Sequence, residues 1–155
     1  MSEKALFKIA LDKAMAQCSH REYCCDDILN KLFSWGVEKD DAEKIIGILI
    51  SENFINELRY STAFVRDKYK YNKWGKVKIA SNLRIKKLAP EIINSALESI
   101  DNEQYIGFLR GLIESHQKSV KAKNQYDLKA KLLRYGLSKG FESSLLYDIL
   151  NEIGD

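Results

Sequence analysis

The sequence predicts an all-α protein of three tandem three-helix repeats, with a period of about 50 residues, forming an elongated, curved helical array. Three observations lead there. First, strand and turn formers are scarce among the 155 residues: four Val, one Thr, one Pro and eight Gly, against abundant Leu, Ile, Lys, Glu and Ala. Second, apolar residues recur at helical spacing along most of the chain. Third, that spacing repeats: Leu32, Leu83 and Leu132 each precede a branched residue (Val37, Leu88, Leu137) by five positions. The three leucines lie 51 and 49 residues apart, longer than the roughly 34 residues of a tetratricopeptide unit.

The elements follow in order. Leu6, Ile9, Ala10 and Ala14 form one apolar stripe on a helix from Lys4 to Cys18. Ser19-His20-Arg21-Glu22 then has the capping-box pattern, with Ser19 as the expected N-cap of a helix carrying Cys25, Ile28/Leu29 and Leu32/Phe33 inward. A break at Trp35-Gly36 precedes a third helix that starts near Asp40/Asp41 and carries Ala42, Ile45/Ile46 and Leu49. This unit ends near Asn53.

The second pass opens on Asn56 as N-cap, with Tyr60, Ala63/Phe64 and Tyr71 on one stripe. A break at Trp74-Gly75 leads to Ile79/Ala80 and Leu83, and Pro90 opens a helix through Ile93, Ala96 and Ile100. The third pass runs through Tyr105, Leu109 and Ile113, then Leu128 and Leu132, to an expected break at Tyr135-Gly136-Leu137. It closes on Leu145/Leu146 and Ile149/Leu150. The expected repeats are 4–53, 54–100 and 101–155, within one domain over 1–155.

The net charge of +3 hides an alternation. Residues 1–58 carry net −4, residues 59–87 net +9, residues 88–117 net −4, residues 118–139 net +6 and residues 140–155 net −4. The central block holds Arg59, Arg66, Lys68, Lys70, Lys73, Lys76, Lys78, Arg84, Lys86 and Lys87, interleaved with Tyr69, Tyr71 and Trp74. Arg66, Lys70 and Lys73, at i, i+4 and i+7, are expected on one helical face. Such a surface suits phosphate or an acidic protein, with the aromatics able to stack on bases or anchor an interface. A weaker second cluster comprises Lys118, Lys121, Lys123, Lys129, Lys131 and Arg134.

Other function classes find little support. No apolar run approaches the roughly 20 residues of a membrane span, and the amino-terminal stretch has no signal-peptide pattern. The odd set Cys18, Cys24, Cys25 has no zinc-ligand spacing and reads as core or partly buried thiols; a cytoplasmic location is expected. No P-loop, GxGxxG, HExxH or GxSxG occurs, and His20 is remote from His116. Asp26/Asp27 and Asp40/Asp41 read as solvated or helix-start charges. The sequence predicts no enzyme, no metal and no cofactor.

One stretch goes further. Ile55-Asn56-Glu57, Arg59-Tyr60 and Ala63-Phe64-Val65, then Gly75, Ile79, Leu83 and Leu88, resemble the RecX family of bacterial recombination regulators. Upstream, Ser19, Ile28-Leu29, Leu32 and Gly36-Val37 fit as well, so the resemblance covers about residues 5–150. Glu57 stands where the family usually has Asp, and Lys87-Leu88 lacks the usual glycine before the branched residue. The resemblance implies an α-helical repeat without catalytic groups that binds the RecA filament on single-stranded DNA and lodges in its helical groove. It implies blocked extension or promoted disassembly of that filament. Strand exchange, ATP hydrolysis and repressor cleavage in the SOS response would be damped, and recombination and DNA repair modulated. Weak binding of single- or double-stranded DNA is also implied. Separately, a monomer without membrane contact is expected.

The expected partner surface is Arg59, Arg66, Lys68, Tyr69, Lys70, Lys73, Trp74, Lys76, Lys78, Arg84, Lys86 and Lys87, with the second cluster assisting. A general helical-repeat adaptor and a standalone nucleic-acid-binding module are the alternatives.

Overall fold

A computed structural model describes residues 2–153. Among these there are nine helices and no strand: α1 (Glu3–His20), α2 (Cys25–Ser34), α3 (Lys39–Ser51), α4 (Glu57–Lys70), α5 (Lys76–Ile85), α6 (Pro90–Leu97), α7 (Asn102–Gln117), α8 (Gln125–Ser138) and α9 (Ser143–Glu152). The all-α, repeated three-helix reading holds. The chain gathers into two compact units, Met1–Phe64 with Leu83–Ala96, and Val65–Asn82 with Leu97–Asp155. Helices α4 and α5 each contribute residues to both.

The first unit is built on α1, α2 and α3. Its core joins Ala10 and Ala14 of α1 to Ile28 and Leu32 of α2 and to Ala42, Ile45 and Leu49 of α3. The small residues of α1 set its packing stripe on Ala10 and Ala14, and Ile9, expected on that stripe, is half exposed. Phe33, also expected inward, is 47% exposed because the α2 stripe centres on Ile28 and Leu32.

The expected cap at Ser19 is wrong. Helix α1 continues to His20, and the Ser19 hydroxyl donates back to the Met15 carbonyl at 2.9 Å. Cys24 is the N-cap of α2 instead, and its N–H donates to the Asp27 carboxylate at 3.4 Å. A cysteine is a poor sequence signal for a cap, which is why Ser-x-x-Glu five residues earlier outcompeted it on paper. The cap expected at Asn56 is present: its Oδ1 accepts from the Arg59 N–H at 2.9 Å.

The turn between the second and third helix of each trio is the clearest repeat. It has a residue in the left-handed region: Gly36 at φ 87°, Lys87 at φ 64° and Gly140 at φ 89°. In each, the next N–H bonds five residues back: Val37 to Leu32 at 3.0 Å, Leu88 to Leu83 at 3.2 Å, Phe141 to Gly136 at 3.1 Å. The left-handed residues lie 51 and 53 positions apart. Lys87 thus forms the turn that elsewhere uses glycine.

The third repeat therefore sits four residues later than its leucines suggest. Gly136 lies inside α8, where a Cβ would meet Leu146 Cδ2 at 2.2 Å, so glycine there serves helix approach rather than a break. Leu137, which the spacing aligned with Val37 and Leu88, is 46% exposed, and Phe141 fills the buried position at 1%. The second unit's core joins Tyr105, Leu109 and Ile113 of α7, Leu132 of α8, Phe141, and Leu146, Ile149 and Leu150 of α9.

Candidate functional site

The most basic segment of the sequence folds mainly into the second unit. There α4 ends at Lys70. Lys73 turns the chain with φ 58°, and the Trp74 N–H donates to the Lys68 carbonyl at 3.1 Å. Gly75 then passes against the α8–α9 turn, its N–H on the Lys139 carbonyl at 2.8 Å. A Cβ on Gly75 would lie 2.4 Å from the Gly140 oxygen, so backbone meets backbone at this point. The start of α5 is satisfied from outside the helix: Lys76 N–H donates to the Tyr105 hydroxyl and Val77 N–H to the Gly140 carbonyl, each at 2.9 Å.

This frame gathers cations around aromatic rings. The Lys68 and Lys78 ammoniums lie 5.1 Å and 4.8 Å from the Trp74 ring centroid. Lys78 also donates to the Ser138 carbonyl at 3.4 Å. The Lys70 ammonium lies 5.4 Å from the ring of Tyr71, which is 70% exposed although its sequence stripe predicts an inward residue. Tyr71 follows the last residue of α4, so the helical stripe no longer applies to it. For the same reason Arg66, Lys70 and Lys73 do not share a helix face. Arg66 and Lys73 are exposed, with Arg66 at 3.9 Å from Asp67. The Lys76 ammonium lies 4.6 Å from the Tyr105 ring.

Tyr69 turns inward. Its ring meets Phe108 edge-on at 4.7 Å and Tyr105 at 5.9 Å, and burial, with the Asp101 carboxylate, pushes its hydroxyl pKa up. It packs against the core, which leaves Tyr71 exposed and Trp74 half-buried among its lysines.

The remaining four members of the expected surface belong to the first unit. Arg59 meets Glu22 at 2.5 Å and donates to the Asn53 carbonyl at 3.2 Å, tying the end of α3 to the segment before α2. Lys86 meets Asp27 at 2.5 Å, and Lys87 meets Asp26 at 3.5 Å. Burial opposes ionisation of Asp27, but hydrogen bonds from Lys86 and Cys24 outweigh it and hold the carboxyl below its ordinary range. The same hydrogen bond outweighs burial at Lys86 and raises its pKa. Asp26 and Asp27 do start a helix, but they are paired there rather than simply solvated. Arg84 is exposed.

Burial pushes the adjacent thiols up, Cys24 to about 11 and Cys25 to about 12. They are poor nucleophiles and poor metal ligands as they stand. Among the described residues no three His, Cys, Asp or Glu side chains converge where a metal could sit.

The second cluster lies in the second unit, with Lys118, Lys121 and Lys123 on the loop before α8 and Lys129, Lys131 and Arg134 on α8 itself. Lys131 donates to the Lys121 carbonyl at 2.6 Å and meets Asp127 at 3.1 Å, and the Lys123 N–H donates to Asp127 at 3.1 Å. Lys118, Lys121, Lys123 and Arg134 are exposed and Lys129 is half-buried. Tyr126 is 85% exposed beside them. Sequence reading missed it, although its offset from the Leu128–Leu132 stripe was the available signal.

Comparison with known proteins follows the same lines. A family model described as "RecX, second three-helix domain" matches residues 56–97. The "Regulatory protein RecX" of Clostridium botulinum is 30% identical over 127 residues, 81% of this chain and 59% of that protein. That of Lactobacillus johnsonii is 26% identical over 136 residues, 88% of this chain and 50% of that protein. The chain thus spans between half and three fifths of the length of these two relatives. The crystal structure of RecX from Lactobacillus salivarius superposes with TM-score 0.84 over 97% of both chains at 22% identity, a match of fold.

Proposed function

The chain belongs to the RecX family, and on that premise we propose that it is a negative regulator of the RecA recombinase. In this reading it binds the RecA filament on single-stranded DNA and inhibits its extension, ATPase, strand exchange and repressor cleavage. It thereby restrains recombination, DNA repair and the SOS response. Its relatives are named regulatory proteins, which supports a regulatory rather than a catalytic role. We propose three repeats at 4–53, 54–100 and 101–155, acting as a cytoplasmic monomer. No helix among the described residues is long and apolar enough to cross a membrane.

One observation carries the assignment of the surface: the Trp74 loop, where Lys68 and Lys78 flank an indole and Arg66, Lys70 and Lys73 stand exposed nearby in sequence. Clustered cations speed and orient association with an acidic or phosphate-bearing partner. The first-unit members Arg59, Lys86 and Lys87 are engaged with carboxylates and contribute less; Arg84 and the second cluster assist.

The test adds the protein to a preformed recombinase–DNA filament and follows ATPase decay. The parent accelerates decay. Arg66→Glu/Lys70→Glu/Lys73→Glu loses about tenfold or more in potency while its helical circular dichroism stays native. Unchanged potency removes the surface, and no decay with the parent removes the function. Exposed Tyr71 and Tyr126 beside lysines favour a second reading, a standalone nucleic-acid module, which would bind DNA without recombinase and with steep salt dependence.

A further inference from the structure

The basic loop of the second unit is not held by its own helices alone. The first N–H groups of α5 find their acceptors on two distant segments: Lys76 on the Tyr105 hydroxyl of α7 at 2.9 Å, and Val77 on the Gly140 carbonyl of the α8–α9 turn at 2.9 Å. The Tyr105 hydroxyl in turn donates to the Glu142 carboxylate. Tyr105 is fully buried, its ring tilted at 5.4 Å against Phe141 and 5.9 Å from Tyr69, so its hydroxyl has little freedom to move. Gly140 can reach α5 only because it lacks a side chain. With φ 89°, a Cβ there would come within 2.1 Å of the Lys78 Cβ.

We propose that Tyr105 and Gly140 are the positioning residues that set the first turn of α5, and through it the placement of Lys76, Lys78 and Trp74. As a role in partner binding, this rests on the surface reading above. The hydroxyl is suited to the task. It accepts from a backbone N–H and donates to a carboxylate at the same time, so both of its capacities are used and its orientation is fixed. The Lys76 ammonium, 4.6 Å over the same ring, is thereby held by backbone and side chain alike. Neither residue touches the partner in this scheme; each acts through the backbone that carries the cations.

The test compares three variants in a Trp35→Phe background, so that Trp74 is the only indole. Tyr105→Phe removes the hydroxyl and keeps the ring. Gly140→Ala forces the α5 start away. Ile113→Val is a control, a core residue of the same cluster remote in sequence from α5, expected to lose comparable stability. Three readouts are taken on native protein: amide hydrogen exchange at Lys76 and Val77, iodide quenching of Trp74, and acceleration of filament ATPase decay.

Tyr105→Phe and Gly140→Ala are expected to exchange about fivefold faster at those amides, as for loss of one hydrogen bond, with altered quenching. Ile113→Val, at matched melting temperature, matches the parent in both. Parent-like exchange and quenching in Tyr105→Phe overturn the proposal. So does an equal change in Ile113→Val, which would mean general destabilisation. Potency in the filament assay separates this from the surface reading. Faster local exchange with lost potency supports both; faster exchange with full potency leaves the positioning in place and removes the Trp74 loop as the partner surface.

Discussion

Replacing Phe141 by alanine tests the register of the third repeat. The side chain is 1% exposed and packs among Tyr105 at 5.4 Å and Phe108 at 6.4 Å between ring centroids. Truncating a buried phenylalanine removes transfer energy and leaves a cavity, together about 3–5 kcal/mol. Domains of this size are stable by about 5–15 kcal/mol, so the loss is a large fraction. Leu137→Ala, at a position 46% exposed, should cost under about 1 kcal/mol. Trp74 lies in the second unit, so its fluorescence in a Trp35→Phe background reports unfolding there. At about 2 kcal/mol per molar urea, Phe141→Ala should lower the midpoint by about 1.5–2.5 M and Leu137→Ala by under about 0.5 M. If Leu137→Ala costs as much as Phe141→Ala, the turn lies at Gly136 and the third repeat follows the register of its leucines after all.

Other expectations follow from single contacts. Lys87→Gly relieves a left-handed lysine and gives up an ion pair whose lysine is exposed and whose Asp26 carboxylate is mostly covered, so thermal unfolding should show no loss and up to about 1 kcal/mol of gain; a clear loss would mean that the Asp26 pair outweighs the backbone. Asn56→Ala should cost about 1 kcal/mol in urea unfolding and Ser19→Ala under about 0.5, and the reverse order would restore the Ser19 cap. The folded Asp27 carboxyl titrates below its unfolded value, so its contribution is complete above the ordinary carboxylate range and fades as pH falls below about 4. Lys86 has a raised pKa, so its contribution is complete below the ordinary lysine value and fades only above about pH 10. Asp27→Asn should therefore flatten the acid limb of the stability profile, and an unchanged limb would remove the pair from the account. With Cys24 at about 11 against an ordinary 9.0, its thiolate fraction at pH 8 falls about a hundredfold; an aromatic disulfide reagent should react with it far faster in urea than in the native protein.

Sequence periodicity was enough for the all-helical class and for most of the core, because a buried stripe must recur every 3.6 residues whatever it packs against. Ile28, Leu32, Ile45, Leu49, Leu109 and Ile113 are buried as their spacing requires. The positive charge of residues 59–87, and the family those residues resemble, were equally legible, since charge and motif are properties of the chain itself. Which cations meet a carboxylate across the fold was not legible. Lys86, Lys87 and Arg59 look like Lys70 and Lys73 in sequence, but carboxylates 59, 61 and 37 residues away engage the first three. Gly136 and Gly140 are likewise identical on paper; one admits Leu146 and the other turns the chain beneath Lys78. Local pattern reports what a residue prefers from its neighbours within a helical turn. Ion pairing, glycine role and the direction of Tyr69 and Tyr71 depend on segments brought close by folding, and so only the tertiary structure decided them.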